Sequence, residues 1–153
     1  MRESIALDLK ETNPSVQKSQ VDYLLNQRRM VFQAKILVVE DNQVNQLVLQ
    51  KLLEKDHHII TLANNGEEAI SLVKQFSFDL ILMDGHMPVL DGYKATEQIK
   101  QDLKIQTPVI GVTAGVTADD IEKCQNAGMD RVLAKPIDKQ QLYKLLKEFL
   151  VRN

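Results

Sequence analysis

Five short apolar runs, none with regular polar alternation, limit what this chain can fold into more than any other feature. They occupy residues 36–39, 59–63, 79–83, 108–113 and 131–134. A strand with one wet face alternates apolar and polar residues, whereas a strand covered on both faces does not. Runs of this length therefore predict buried strands of a parallel sheet. Between them, residues 43–55, 66–75, 91–101, 118–126 and 138–151 space their apolar side chains as helices do. Parallel neighbours need right-handed crossovers, so five βα units in series predict an α/β, doubly wound, five-stranded sheet with five helices.

Local signals support these boundaries. Asn42 is placed to cap the first helix, and Thr117 precedes Asp119 and Asp120, acids that favour a helix N-terminus. Gly128 suits the residue just past the fourth helix. A chain of 153 residues holds one domain with a real core and a tail. Met1 to Lys18 is polar and contains Asn13-Pro14, so residues 1–34 read as a linker or N-terminal extension and 35–153 as the domain. From residue 20 to 32 a weak helical stripe (Val21, Leu24, Leu25, Arg28, Val31, Phe32) marks either a partly ordered linker or a helix joining another domain or subunit. The formal net charge of -2 gives no bulk attraction to nucleic acid or an anionic membrane, and neither partner is expected. A single cysteine, Cys124, precludes an internal disulfide or a cysteine metal cluster. That suits a reducing compartment, and a cytoplasmic location is expected.

The runs end in reactive residues. Glu40 and Asp41 follow the first, Asp84 the third, Thr113 closes the fourth, and Lys135 follows the fifth. In doubly wound sheets ligands bind beyond the carboxyl ends of the strands, so these groups are expected to converge. Three carboxylates at one place repel, and their all-oxygen donor set favours Mg²⁺. One of them can attack phosphorus while metal and ammonium neutralise the equatorial oxygens. Asp84 stands alone at the central strand and is the expected nucleophile. Glu40 and Asp41 are adjacent and better placed as metal ligands. Thr113 can donate to a phosphoryl oxygen, and Lys135 supplies a compact positive charge.

Four stretches carry a family likeness: ILVVEDN-x-x-N from Ile36, LILMDGHMPVLDG from Leu80, PVIGVTA from Pro108 and AGMDRVLAKPI from Ala127. Together they resemble a response-regulator receiver domain, most similar to the receivers of hybrid sensor histidine kinases. The resemblance implies a flavodoxin-like strand order of 2-1-3-4-5 and phosphorylation of Asp84. It implies a metal site of Glu40, Asp41, Asp84 and the backbone carbonyl of His86. It also implies a cis peptide before Pro136, and partners that are a histidine kinase or a histidine phosphotransfer domain. Such a domain phosphorylates and dephosphorylates only itself, and self-association is expected through residues 20–32 or through the fourth helix, fifth strand and fifth helix. The parent is either a hybrid histidine kinase or a stand-alone regulator with an N-terminal extension.

Three residues depart from the usual pattern and are expected to modulate the site. His86 stands where hybrid receivers usually carry glutamine, and an imidazole titrating near 6.5 would make phosphate lifetime depend on pH. Val132 stands where many receivers place a switch aromatic. Gly115 offers no side chain near the phosphoryl group. On the first helix Val48, Leu49, Leu52 and Leu53 are expected to form the core stripe, extended by Asn45. Val44 and Leu47 fall off it, and with Gln43 and Gln46 beside them they form the expected docking patch for a histidine-bearing helix. His57 is expected in a left-handed turn, with His57 and His58 in a loop and Cys124 packed inside. A haloacid-dehalogenase-like phosphatase would want an acid where His86 stands, and a flavodoxin-like cofactor binder a phosphate loop where Glu40-Asp41 stand.

Overall fold

The computed structural model describes residues 33–87 and 89–150. The helical stripe at 20–32, most of the expected linker, and Val151 lie outside the described residues. Strands β1 (Lys35–Val39), β2 (Ile59–Ala63), β3 (Leu80–Asp84), β4 (Val109–Thr113) and β5 (Arg131–Ala134) form one parallel sheet in the order β2-β1-β3-β4-β5. Helices α1 (Gln43–Glu54), α2 (Gly66–Gln75), α3 (Gly92–Glu97), α4 (Ala118–Ala127) and α5 (Lys139–Leu150) connect and follow them. The expected fold and strand order are present, and a helix lies in each of the five expected places. Asn42 accepts from the Asn45 N–H at the start of α1, Thr117 forms a reciprocal capping box with Asp120, and Gly128 ends α4 at φ 99°.

The third helix is shorter than its periodicity predicts. Beyond Glu97 it widens into a π-helical turn, Gln98–Asp102, which holds Ile99 fully buried. From this turn Lys100 Nζ donates to the Thr107 carbonyl at 2.8 Å and meets Asp130 at 3.0 Å.

Every residue of β3 and β4 is buried, which is why their runs show no polar alternation. One face of the sheet, through Leu37, Val39, Ile81 and Met83, packs with Ala69 and Val73 of α2, Ala95 of α3 and Cys124 of α4. Successive strand side chains point to opposite faces, so Ile36, Val38, Leu80 and Leu82 serve the other side.

Where the strands enter, each adjacent pair is tied by a side chain. The Ala34 N–H donates to His58 Nδ1 at 3.1 Å, tying β1 to β2, and the Lys35 N–H donates to Asp79 at 2.8 Å, tying β1 to β3. Thr107 donates its hydroxyl to the Phe78 carbonyl at 3.1 Å, tying β3 to β4. The Val109 N–H donates to Asp130 at 2.8 Å, tying β4 to β5. Where the strands leave, strand order reverses between β1 and β3, opening a crevice there.

Candidate active site

That crevice gathers the residues singled out in the sequence. Glu40 and Asp41 follow β1, and Asp84 closes β3. Ligand oxygens of all three lie within 4.8 Å of one another. Glu40 and Asp84 are 3% and 2% exposed, so two carboxylates are nearly dry while Asp41 remains exposed. From the loop after β5, Lys135 Nζ reaches Asp84 Oδ2 at 3.1 Å and Glu40 Oε1 at 3.5 Å. The peptide between Lys135 and Pro136 is cis, as expected. Thr113, buried at the end of β4, donates its hydroxyl to the Gly115 carbonyl.

The backbone orients the acids. The Asn42 N–H donates to Glu40 Oε2 and the His86 N–H to Asp84 Oδ1, each at 3.1 Å. Asp84 Oδ2 differs. It is buried, no described residue gives it a well-directed hydrogen bond, and the Lys135 contact lies off the hydrogen-bond line. Close approach of α3 matters here, because a Cβ on Gly92 would sit 2.0 Å from the Asp84 carbonyl oxygen.

Burial raises the Glu40 pKa, and the Asp84 charge adds to this; the Asn42 N–H and Lys135 oppose it without reversing it. Burial acts to lower the Lys135 pKa, but the close Asp84 carboxylate and its charge, together with Glu40, outweigh it and raise the value. Three acidic side chains thus gather at one place, and one ammonium meets two of them. Hard oxygen donors, an excess of negative charge and a buried oxygen with no directed partner fit a hard divalent cation such as Mg²⁺.

Three further positions are expected to modulate the site. His86 is exposed, and its ring meets Tyr93 edge-on at 5.7 Å. A Cβ on Gly115 would lie 3.3 Å from Asp120 Oδ2. Val132 is half-buried against the core.

The expected docking patch needs correction. Gln43, Val44 and Leu47 are exposed, but Gln46 is buried, its amide donating to the Glu40 carbonyl and to Asn64 Oδ1. Val48 and Asn45 are not core residues either. Both are exposed, and only Leu49, Leu53 and the half-buried Leu52 carry the inward stripe. Val48 instead extends Val44 and Leu47 toward a groove of about 390 Å³ between α1 and the segment after β5, lined by Asn45, Val48, Leu52, Lys135, Pro136 and Ile137. Sequence reasoning missed this groove; its signal was apolar Pro136-Ile137 directly after the reactive lysine.

Comparisons with known proteins agree with this geometry. Residues 36–147 match the model of the response regulator receiver domain family. The chain is 43% identical over 115 residues to the signal transduction histidine-protein kinase BarA of Escherichia coli K12, matching 74% of this chain and 12% of that protein. It is 36% identical over 143 residues to histidine kinase 5 of Arabidopsis thaliana, matching 76% of this chain and 16% of that protein. It thus spans less than a fifth of either relative. Among solved structures, the receiver domain of the sensor histidine kinase PA1611 of Pseudomonas aeruginosa superposes with a TM-score of 0.71 at 38% identity, covering 78% of this chain and 98% of that one. It holds a magnesium ion in its active-site cleft. The Ssk1 receiver of Saccharomyces cerevisiae, solved with the histidine phosphotransfer protein Ypd1, gives a TM-score of 0.71 at 31% identity, covering 76% and 88%.

Proposed function

The chain belongs to the response regulator receiver domain family, and from that premise we propose that it takes a phosphoryl group from a phosphohistidine onto Asp84 and relays it or loses it to water. One observation carries the assignment: Asp84 Oδ2 is buried, lacks a directed hydrogen bond from any described residue, and faces an ammonium at 3.1 Å. Such an oxygen is free to attack, with a countercharge beside its target. A new O–P bond forms as the N–P bond breaks, and the imidazole nitrogen keeps the electron pair. Lys135 then neutralises phosphoryl oxygens, and the Thr113 hydroxyl leaves the Gly115 carbonyl to donate to one of them. Glu40, Asp41, Asp84 and the backbone carbonyl of His86 would hold Mg²⁺, which when bound supplies further charge neutralisation at the phosphoryl oxygens. His86, Gly115 and Val132 tune lifetime and output.

The donor or acceptor is a helix bearing the reactive histidine, on a kinase or a phosphotransfer domain. It docks on Gln43, Val44, Leu47 and the corrected Val48, with an apolar side chain in the groove beside Pro136. Exposed apolar residues next to a polar reactive centre suit such an interface. The chain is a cytoplasmic segment of a hybrid histidine kinase, with residues 1–34 as linker and 35–153 as the receiver. No helix among the described residues is long and apolar enough to cross a membrane. Self-association would use residues 20–32 or the α4-β5-α5 face.

The test is incubation with acetyl phosphate and Mg²⁺ followed by intact mass measurement. A gain of one phosphoryl group is expected, and none in Asp84→Asn. No gain with acetyl phosphate or with a phosphorylated histidine domain overturns the proposal.

A further inference from the structure

We infer that Tyr93 is a positioning residue for the nucleophile: it clamps the two residues after Asp84 and so selects the carboxylate oxygen that attacks. This rests on Asp84 being the phosphoacceptor. The Tyr93 hydroxyl lies 2.8 Å from where a Cβ on Gly85 would sit, so Gly85 carries no side chain in the space that hydroxyl fills. The Tyr93 ring also meets the His86 ring at 5.7 Å with the planes 77° apart, an edge-to-face pair. His86 is the residue whose N–H donates to Asp84 Oδ1 at 3.1 Å. With Oδ1 engaged, Oδ2 is the oxygen left toward Lys135. On the helix side, Lys123 of α4 places its ammonium 5.3 Å from the Tyr93 ring centroid. The clamp therefore touches both the nucleophile loop and α4.

The contact with His86 is made by the ring, and over Gly85 a ring carbon lies 3.0 Å from the same Cβ position, behind the hydroxyl, so the hydroxyl adds no bond to the clamp. The hydroxyl is buried and has no hydrogen-bond partner among the described residues. Burial, with the Cys124 thiol beside it, pushes its pKa up to about 12, so it carries no charge near neutrality. An unpartnered buried hydroxyl adds no net stability, so Tyr93→Phe separates the two contributions.

The experiment uses the full chain and reads two signals: the rate of phosphorylation by acetyl phosphate with Mg²⁺, and hydrogen exchange at the His86 amide, which reports its bond to Asp84 and is blind to the ring current of Tyr93. Tyr93→Phe is expected to stay within about twofold of wild type in both. Tyr93→Ala should slow phosphorylation about two- to tenfold, the equivalent of losing one edge-to-face contact, and speed exchange at that amide. If the alanine variant does not fold, Tyr93→Leu, which keeps bulk without the aromatic edge, takes its place with the same expectation. A wild-type rate or unchanged His86 exchange in the non-aromatic variant overturns the clamp alone. A wild type that takes up no phosphoryl group from any donor overturns the phosphoacceptor reading, and the clamp with it.

Discussion

The two edges of the sheet are built from the same strands and obey opposite rules. At the entry edge each adjacent pair of strands is tied by a side chain, through His58, Asp79, Thr107 and Asp130. Backbone groups there that the ladder leaves free find partners, so burying them costs little. At the exit edge, three carboxylates crowd together, one ammonium meets two of them, and a buried oxygen lacks a directed hydrogen bond. Groups held in that way store reactivity at the expense of stability. The contrast says that changes at one edge should move chemistry and changes at the other should move stability.

The largest effect expected is on chemistry. Lys135→Met should slow phosphorylation by acetyl phosphate about 10²-fold, the scale for losing one stabilising donor. Its raised pKa means the lysine stabilises the fold below its unfolded value of 10.5 and loses that effect as pH rises through the folded value. Lys135 is 30% exposed, so solvent screens its ion pairs and unfolding at neutral pH should change by under about 1 kcal/mol. Asp130→Ala should reverse the pattern. It leaves the N–H of fully buried Val109 unpaired and takes one of two partners from Lys100, costing about 1–3 kcal/mol in denaturant unfolding. The folded fraction should be phosphorylated at the wild-type rate, and Asp130→Asn should recover most of the loss. If Asp130→Ala slowed phosphorylation as much as Lys135→Met, the division between edges would be wrong.

Much of the exit edge was legible in sequence because its residues sit at fixed offsets from apolar runs. Glu40, Asp41, Asp84, Thr113 and Lys135 each follow or close a run; a parallel sheet puts them at one edge, and the strand order implied by the resemblance makes them neighbours. Caps at Asn42 and Thr117, the left-handed His57 (φ 66°) and Gly128 were legible for the same reason, since each depends on its neighbours in the chain. The entry edge was not. Asp79 bonds Lys35 and Asp130 bonds Val109 only because of which strands become neighbours. Gln46 was misread because periodicity scores polarity, whereas its burial depends on Glu40 and Asn64 satisfying its amide. Val48 was misread because a helical wheel does not say how far the sheet extends beneath the helix. Val89 at φ 72°, a β-branched residue in the left-handed region, carried no local signal at all.

A smaller effect tests the strain assigned to the exit edge. Glu40→Gln should stabilise the fold at about pH 7 without divalent cation, by about 0.5–2 kcal/mol. Burial raises the Glu40 pKa, so the folded state binds the proton more tightly than the unfolded chain with its value of 4.5. Stability is therefore lost as pH rises from there through the folded pKa. The gain should be present above that window and absent below it in paired denaturant titrations. A variant no more stable than wild type at neutral pH would mean that Lys135 and the Asn42 N–H already offset the burial.

The smallest expected effect is at the entry edge and depends on pH. His58 is 6% exposed, and its Nδ1 accepts from the Ala34 N–H, so the native tie requires an unprotonated nitrogen. Burial lowers its pKa, while Asp56 and Asp79 partly oppose this and His57 reinforces it. The unfolded chain, with a value of 6.5, takes up the proton first, so stability should fall as pH drops through 6.5 toward the folded value. His58→Asn places an amide oxygen in the acceptor role and cannot titrate. Its unfolding free energy should match wild type within about 1 kcal/mol near neutrality and fall less on acidification. Parallel curves for the two proteins between about pH 7 and 5 would show that this tie is indifferent to protonation.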